Sequence, residues 1–289
     1  MINIKYILVT LLLVSFTSCQ NYGELTKIGS LTRDLAEVSG IATFSKDSLI
    51  YAIADHGNPN SIYGITKTGE IKREIVIKNA PNEDWEDLAT DYAGNLYISD
   101  TGNNENDRKD QFIYILNNFK NSIKNSDTLS ASKIVFTLSD QKKYPPNLRD
   151  LNFDIEALIY KDAYLYMFTR NRSRNFDGVT KLYKLPAREG AYEAQLIAKY
   201  TVCDDLETCS ITGASLSPNG KTLILLTSSK VIKFSGFKND DFFSGYVESI
   251  PFGNTSRKEG VTFKNDSTLY VVDEIRAQTG GNLYEFNLY

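Results

Sequence analysis

The sequence predicts an all-β protein, and three observations support this fold class. A hairpin unit recurs five times, with a polar or acidic leading residue, an apolar run, a turn and a second apolar run. Turns such as "SKDS", "DYAGN" and "SPNGK" combine the Asp, Asn, Ser and Gly residues that β-hairpins need. The chain has 18 Tyr and 15 Phe but only 2 Met and 1 His, which suits pleated surfaces better than helices.

The repeated unit is recognised by its leading residue and its paired apolar runs. Copies of the unit are separated by 47, 70, 56 and 47 positions along the chain. The shorter steps match one blade of a β-propeller, which takes roughly 40–50 residues. The leading residues are Ser39, Glu86, Glu156, Thr212 and Glu259.

Further strand candidates follow each unit, so that four antiparallel strands would recur around a circle. The last copy ends at Tyr289 with only three strands. The stretch "ELTKIGSL" near the start supplies a fourth and would close the ring by pairing the two chain ends. We therefore predict a single β-propeller of five four-stranded blades, closed by an N-terminal strand. Six blades are the alternative, if two have been merged into one unit.

The first residues have the build of a secretory signal. Lys5 precedes an apolar run over residues 6–16, which is shorter than the about 20 residues that a membrane-spanning helix needs. We expect residues 1–18 to form a lipoprotein signal peptide, residues 19–23 a lipid-anchored linker, and residues 24–289 the propeller domain.

The end of this leader, "FTSC", resembles a bacterial lipobox. The resemblance implies cleavage before Cys19 and acylation there, which would anchor the protein in a membrane. Because Gln20 follows instead of an aspartate, it also implies attachment to the outer membrane of the cell envelope. Three acyl chains would hold firmly, since each buried methylene contributes roughly 0.8 kcal/mol. The alternative is an ordinary secreted protein with a cysteine at this position.

Charge and cysteine content restrict the partners and the chemistry. The formal net charge of −4 without a basic stripe argues against a nucleic-acid partner. In an oxidising envelope, Cys203 and Cys209 in "CDDLETC" predict a disulfide that closes a short loop. Two thiolates without a nearby His make an incomplete metal site, and a catalytic thiol is weaker still because the compartment favours oxidation.

Acidic residues concentrate where the repeated units begin and end. In a propeller blade the innermost strand crosses from one face to the other and the second strand returns. Both ends therefore lie on one face near the axis, and the polar residues of all units should converge there. The members of this predicted axial ring are Glu37, Asp55, His56, Asn58, Asp84, Glu86, Asp87, Asp100, Asn103, Asp154, Glu156, Arg170, Arg172, Ser210, Thr212, Thr227, Glu259, Asp273, Glu274 and Arg276.

Crowded carboxylates need compensation from arginines, backbone donors or a bound cation. Oxygen ligands suit Ca²⁺, which takes roughly 6–8 of them, whereas the scarcity of His and thiolate argues against zinc or copper. Gly57 and Gly102, in "DHGN" and "DTGN", permit tight turns that aim Asp and Asn at a common centre. The metal ligands predicted on this basis are Asp55, Glu86, Asp100, Glu156, Glu259 and Asp273.

Other side chains of the ring are predicted to bind a polar or anionic ligand. A purely structural interpretation stays open for the glutamates, which can accept backbone N–H groups or pair with arginines. His56 can be a general base or a solvated loop residue. The predicted ligand-binding residues are His56, Asn58, Asn103, Arg170, Arg172 and Arg276.

Several motifs occur in a characteristic order between Glu37 and the C-terminus: "DWEDLA", "GNLYISDTGNN", "DIEAL", "ITGASLSPNGKTL" and "EGVTF". Together they resemble a family of bacterial secreted and lipoprotein β-propellers, distantly related to phytase-like and SdiA-regulated propellers. The resemblance implies a propeller in the cell envelope and no particular reaction. His56 stands where the first "D-x-G-N" motif of the family usually has Ser, which weakens any catalytic role for it.

Two main function classes follow. The first is an envelope lipoprotein that binds a cation, a small polar ligand or an envelope protein at the acidic axial site. The alternative is a calcium-dependent hydrolase of phosphoesters, lactones or similar esters, with a carboxylate or His56 as the base. A glycosidase with two carboxylates is a third hypothesis, although the single Trp85 offers little surface for sugar stacking. The sequence contains no nucleophile elbow, P-loop, HExxH motif or dinucleotide fingerprint. These motifs therefore do not decide whether the protein is an enzyme.

Overall fold

The computed structural model of the protein describes residues 21–45, 47–277 and 279–289. The expected signal peptide, residues 1–18, and the expected lipidation site Cys19 lie outside this part of the chain. Within it, strands make up most of the regular structure, and none of the helices has the length and apolarity that crossing a membrane requires.

Strands and a few short helical turns follow one another along the described residues. The strands are β1 (Thr26–Ser30), β2 (Val38–Thr43), β3 (Ile50–Ala54), β4 (Ser61–Ile65), β5 (Ile71–Ile77), β6 (Trp85–Thr90), β7 (Leu96–Asp100), β8 (Gln111–Leu116), β9 (Thr128–Leu129), β10 (Ser132–Leu138), β11 (Asp154–Lys161), β12 (Tyr164–Arg170), β13 (Val179–Pro186), β14 (Gly190–Thr201), β15 (Gly213–Leu216), β16 (Thr222–Leu226), β17 (Lys230–Ser235), β18 (Tyr246–Pro251), β19 (Lys258–Asn265), β20 (Thr268–Asp273) and β21 (Asn282–Asn287). The helices are α1 (Phe119–Ser122) and α2 (Leu206–Cys209), with 3-10 turns at Arg33–Leu35 and Phe242–Ser244.

Antiparallel pairing groups these strands into units of four. The units are β2–β5, β6–β8 with β10, β11–β14, β15–β18, and β19–β21 with β1. In the last unit, β1 pairs with β21 from Thr26 opposite Glu285 to Ser30 opposite Asn282. The stretch near the start of the chain thus lies beside the last strand.

The described residues form four hydrogen-bonded sheets, whereas the sequence predicts five separate blades. Strand β14 is the reason, because its first half, from Gly190 to Ala194, pairs in parallel with β10. Its second half, from Gln195 to Thr201, pairs with β13 of its own unit. This twelve-residue strand therefore joins two units into one eight-stranded sheet, and β9 adds a fifth strand to the first unit.

The units are arranged as a ring around a central axis. The first strands of the units contact one another in the closed order β2, β6, β11, β15, β19 and back to β2. Buried apolar side chains form five clusters, and each cluster joins two neighbouring units of this ring. The architecture is that of a β-propeller, with the core divided among the junctions between sheets.

Trp85, at the start of β6, lies in the junction between the first two units. Its side chain is fully buried beside Tyr51, Ile53 and Tyr114. Its indole Nε1 donates to the Pro81 carbonyl at 3.2 Å, so the buried polar atom is satisfied. The indole of Trp85 therefore packs between the two units and presents no surface to a sugar.

The predicted disulfide between Cys203 and Cys209 is confirmed. It closes the turn that leads into β15, with α2 inside the loop. Asp205 caps this short helix, because its Oδ1 accepts the Thr208 N–H at 2.8 Å. Closing so short a loop restricts the unfolded chain and stabilises the fold by about 2 kcal/mol.

Candidate functional site

Four of the five leading residues lie in β-bulges of the inner strands. The register between first and second strands skips one residue in β2, β6, β11 and β19. A bulge leaves its extra residue outside the ladder and re-aims that side chain. The residues placed in this way are Ser39, Glu86, Glu156 and Glu259. All four line one cavity, which explains why the repeated unit begins with a polar residue.

The cavity lies on the axis of the ring and has a volume of about 640 Å³. Ten acidic residues line it, against five arginines and His56. The acidic residues are Glu37, Asp55, Glu83, Asp84, Glu86, Glu105, Asp107, Glu156, Glu259 and Glu274, and the arginines are Arg108, Arg170, Arg172, Arg257 and Arg276.

Three buried carboxylates form a compact group at this cavity. One oxygen from each of Glu86, Asp154 and Glu156 lies within 4.8 Å of the others. Arg172 donates through Nη2 to Glu156 Oε1 at 2.7 Å and through Nε to Asp154 Oδ2, and Arg170 donates to Glu156 Oε2 at 3.2 Å. Two of the three carboxylates therefore have guanidinium partners.

Glu86 is the exception in this group. Its side chain is about nine-tenths buried, yet among the described residues no hydrogen bond or ion pair reaches its carboxylate. Gly102 leaves room for it, since a Cβ there would lie 2.3 Å from Glu86 Oε1 and 2.2 Å from Asp84 Oδ2. The Glu86 carboxylate is thus an uncompensated acid that faces the cavity.

The three carboxyl groups differ in pKa according to their charged partners. Burial, followed by the charges of Glu156 and Asp84, raises the pKa of Glu86 well above its ordinary value. Burial and the charge of Glu156 raise the pKa of Asp154 to about 7, although Arg172 opposes the change. Burial also acts on Glu156, but Arg170 and Arg172 outweigh it and leave its pKa lowered. Glu156 is thus the residue that stays ionised most easily.

Glu259 approaches the same guanidinium nitrogen of Arg170, Nη1, as Glu156 does. Its carboxylate is 3.8 Å from Arg170 Nη1 and 3.3 Å from Arg257 Nε. Burial raises the pKa of Glu259 to about 8, with Glu156 and Glu274 adding to the effect and Arg170 opposing it. Glu259 lines the cavity but lies outside the group of three carboxylates.

The rim of the cavity carries residues of the first unit. Burial, with the charges of Glu274, Glu37 and Asp84, raises the pKa of Asp55 to about 7. His56 is exposed, and its Nδ1 donates to the Glu83 carbonyl at 2.6 Å, which is the main reason that its pKa is raised.

Two predicted amide ligands have structural partners. Asn58 donates to Glu37 Oε2 at 3.0 Å and does not line the cavity. Asn103 lines it and receives the Arg108 N–H on Oδ1 at 3.0 Å, while its own N–H donates to Asp154 Oδ1 at 2.6 Å.

Asp100 and Asp273, two of the predicted metal ligands, do not line the cavity. Each ends a second strand and points into its own unit. Asp100 Oδ1 accepts the Asp84 N–H and Arg108 Nη2, both at 3.1 Å. Asp273 accepts the Asn282 N–H at 2.8 Å and the Tyr284 hydroxyl at 2.9 Å. Both aspartates therefore tie the end of a strand to the following loop or strand.

Asp87 follows Glu86 in β6 and is fully buried beneath the cavity. Its carboxylate accepts the N–H groups of Leu88 at 2.8 Å, Leu158 at 2.8 Å and Ala214 at 3.4 Å. Leu158 belongs to β11 and Ala214 to β15, so one side chain connects three inner strands across the axis. Burial raises the pKa of Asp87 well above normal, although the three backbone donors lower it in part.

The sequence interpretation included Asp154 in the axial ring but not among the metal ligands, and it omitted Arg108 and Arg257. One signal was available for Asp154. The pattern acid-x-Glu occurs as Asp84-x-Glu86 and again as Asp154-x-Glu156. Arg257 holds the same place, two residues before Glu259, whereas Arg108 lies in the loop after β7 and carries no such signal.

Comparisons with known proteins bear on the fold. No protein-family model matches the chain, and no curated protein has a matching sequence. Among solved structures, the chain is similar to the PQQ-bound form of an aldose sugar dehydrogenase from Streptomyces coelicolor. The two share 10% identity and a TM-score of 0.51 over 91% of this chain and 97% of that one. At this identity the likeness shows the all-β propeller fold alone.

Proposed function

We propose that this protein is a five-bladed propeller that binds a divalent cation, Ca²⁺, together with a small polar ligand in its axial cavity. The single observation that carries the proposal is the group of Glu86, Asp154 and Glu156, whose oxygens lie within 4.8 Å of one another. Glu86 has no partner of opposite charge among the described residues, and a cation would supply one. The closed cycle of five first strands supports the blade number.

The donor set favours calcium over transition metals. All three side chains offer hard carboxylate oxygens, and no thiolate or imidazole joins the group in the described part of the chain. Three carboxylates provide three to six oxygens, whereas Ca²⁺ takes roughly 6–8. The remaining positions would be filled by water or by a ligand from the cavity, which is the reason that we propose binding of both.

The contacts favour binding over hydrolysis. Arg170 and Arg172 are paired with Glu156, so they are not free to hold an anionic substrate. His56 is at the exposed rim and donates to a backbone carbonyl. No observation on the described residues places a base beside a nucleophile, so the calcium-dependent hydrolase stays an outcome to be tested.

The test is a calcium titration of the wild-type protein and of Glu86→Gln by isothermal calorimetry. Replacing second-shell groups of metal sites costs 10–100-fold in affinity, so loss of a charged ligand should weaken calcium binding by at least about 100-fold. Neutralising a buried and unpaired carboxylate should leave the apo protein folded. Glu189→Gln is the control, because Glu189 is an exposed side chain away from the cavity.

Two results would decide against parts of this proposal. Equal calcium affinity of wild type and Glu86→Gln would remove the cation site. Calcium-dependent turnover on a panel of phosphoesters and lactones, absent from Glu86→Gln, would replace the binding function with the hydrolase.

The PQQ of the similar dehydrogenase is not part of the proposal. At 10% identity, the likeness gives no reason to transfer the ligand.

We further propose that the protein is a lipoprotein anchored through Cys19, with the outer membrane as its location. The support is the sequence "FTSC" after a short apolar run. Labelling of expressing cells with radioactive palmitate should tag the wild-type protein and leave Cys19→Ser unlabelled. Equal labelling of both would refute the anchor, and fractionation of the two membranes would test the location.

A further inference from the structure

Two arginines at the cavity share a single carboxylate oxygen. Arg257 Nε lies 3.2 Å from Glu274 Oε2, and Arg276 Nε lies 3.0 Å from the same atom. The two Nε atoms are therefore within about 6 Å of each other. Glu274 is buried, whereas the arginine side chains are half exposed on the cavity wall. We call Arg257 and Arg276 the arginine pair.

The terminal amino groups of this pair are available. Within the described residues, the hydrogen bonds of Arg257 and Arg276 use Nε alone, to Glu259 and Glu274. Arg170 and Arg172 differ, because one Nη group of each is hydrogen-bonded to Glu156. Arg257 and Arg276 are thus the cavity arginines for which the described residues leave both Nη groups without a hydrogen bond.

The free pair is also held in place. A guanidinium whose Nε–H is already bonded still presents the N–H groups of its two Nη atoms, and planar guanidiniums bind carboxylate and phosphate through two parallel hydrogen bonds. One oxygen of Glu274 holds both side chains, so two such groups face the same space. An anion bound there would not have to break an existing Nη contact.

Other parts of the cavity have the reverse character. Among the described residues, Glu86 lacks a partner of opposite charge, and the charges around Asp55 are mainly those of the acids Glu274, Glu37 and Asp84, which the Arg257 charge opposes. One cavity therefore combines an uncompensated acidic side with a pair of available guanidiniums. A ligand that satisfies both must have an anionic group for the arginines, while the acidic side takes a cation.

We infer that Arg257 and Arg276 form an anion-binding subsite that takes the carboxylate or phosphate group of the cavity ligand. The inference deepens the proposed function by naming the chemical class of the ligand, and it rests on the same cavity. The subsite itself shares no residue with the proposed cation site, so each can be tested without the other.

The experiment titrates calcium-free protein with inorganic phosphate in one arm and with glutarate in the other, by isothermal calorimetry. Arg257→Gln and Arg276→Gln should each weaken binding by about tenfold, and the double variant should abolish it. Arg257→Lys should bind with intermediate affinity, because it keeps the charge but loses the planar fork. Arg188→Gln is the control, since Arg188 is exposed and outside the cavity. The preferred arm identifies the anion as phosphate or carboxylate.

The outcomes separate the two proposals. The anion-binding subsite would be refuted if the wild-type protein binds neither anion, or if the double variant binds as well as the wild type. Calcium affinity is measured on the same double variant, where it should persist. Loss of anion binding with calcium binding intact supports the subsite, and anion binding without any calcium binding supports the subsite while refuting the cation site.

Discussion

Replacing Asp87 by alanine should destabilise this protein more than any other single change at the axis. The wild-type carboxylate accepts backbone N–H groups from three inner strands, β6, β11 and β15. Alanine would leave these donors buried without an acceptor, and each unsatisfied group costs about 1–3 kcal/mol. We expect the free energy of unfolding to fall by about 3–5 kcal/mol. Urea unfolding followed by the fluorescence of the single Trp85 measures the change.

A matched variant distinguishes the hydrogen bonds from the volume of the side chain. Asp87→Asn keeps the shape and one acceptor oxygen, which can still serve the N–H groups of Leu158 and Ala214. Its loss should be about 1–2 kcal/mol, from the Leu88 contact. If the free energy of unfolding of Asp87→Ala lies within about 1 kcal/mol of the wild-type value, Asp87 does not hold the inner strands together.

The second large effect is a loss of stability as the pH rises in the absence of calcium. Folding raises the pKa of Asp154 to about 7 and that of Glu259 to about 8, mainly by burial. Unfolded carboxyl groups titrate near pH 4, so between about pH 4 and pH 8 the native state binds more protons than the unfolded state. Stability is therefore fully present below the unfolded pKa values and falls as the pH rises through 7 and 8.

The expected size follows from the same values. One pKa unit corresponds to about 1.4 kcal/mol, and Asp154 and Glu259 titrate over about two and three pH units of this interval, which corresponds to at most about 7 kcal/mol. We expect the free energy of unfolding to decrease by at least about 3 kcal/mol between pH 5 and pH 8. Urea unfolding at four pH values in chelator measures it. Above pH 8 the buried Lys258 acts in the opposite direction, because burial lowers its pKa to about 8.

Two comparisons test the cause of this pH dependence. Glu259→Gln removes one of the raised carboxyls and should flatten the decrease. Added calcium should restore stability at pH 8, since a cation that binds only the native state stabilises it by mass action. Stability that rises between pH 5 and pH 8 in the apo protein would contradict the assignment.

The hairpin pattern of the sequence was sufficient to predict an all-β propeller and the position of its acidic centre. Alternation of polar and apolar residues and the composition of turns are local properties, so strands and hairpins can be recognised without any partner. The same applies to the disulfide, because Cys203 and Cys209 are only six positions apart. The leading residues Glu86, Glu156 and Glu259 were recognisable because each begins a copy of the unit.

The repeat symmetry wrongly predicted that the acids at the ends of the second strands all line the cavity. Asp100 and Asp273 end second strands just as Asp55 follows one, yet only Asp55 lines the cavity. The difference is a matter of partners, since neighbouring backbone N–H groups bind the first two within their own units. No pattern in the chain shows which carboxylates will find such donors.

Local patterns in the chain were thus enough to predict the strands, the turns, the disulfide and the position of the leading residues Glu86, Glu156 and Glu259 at one cavity. The ring of tertiary contacts settles how those acids divide among their partners. Asp154 pairs with Arg172, whereas in the described part of the chain no cationic side chain pairs with Glu86, because bulges and loops far apart in sequence set these distances. Electrostatic energy depends on separations of a few ångströms, whereas hydrophobic alternation depends only on the order of residues.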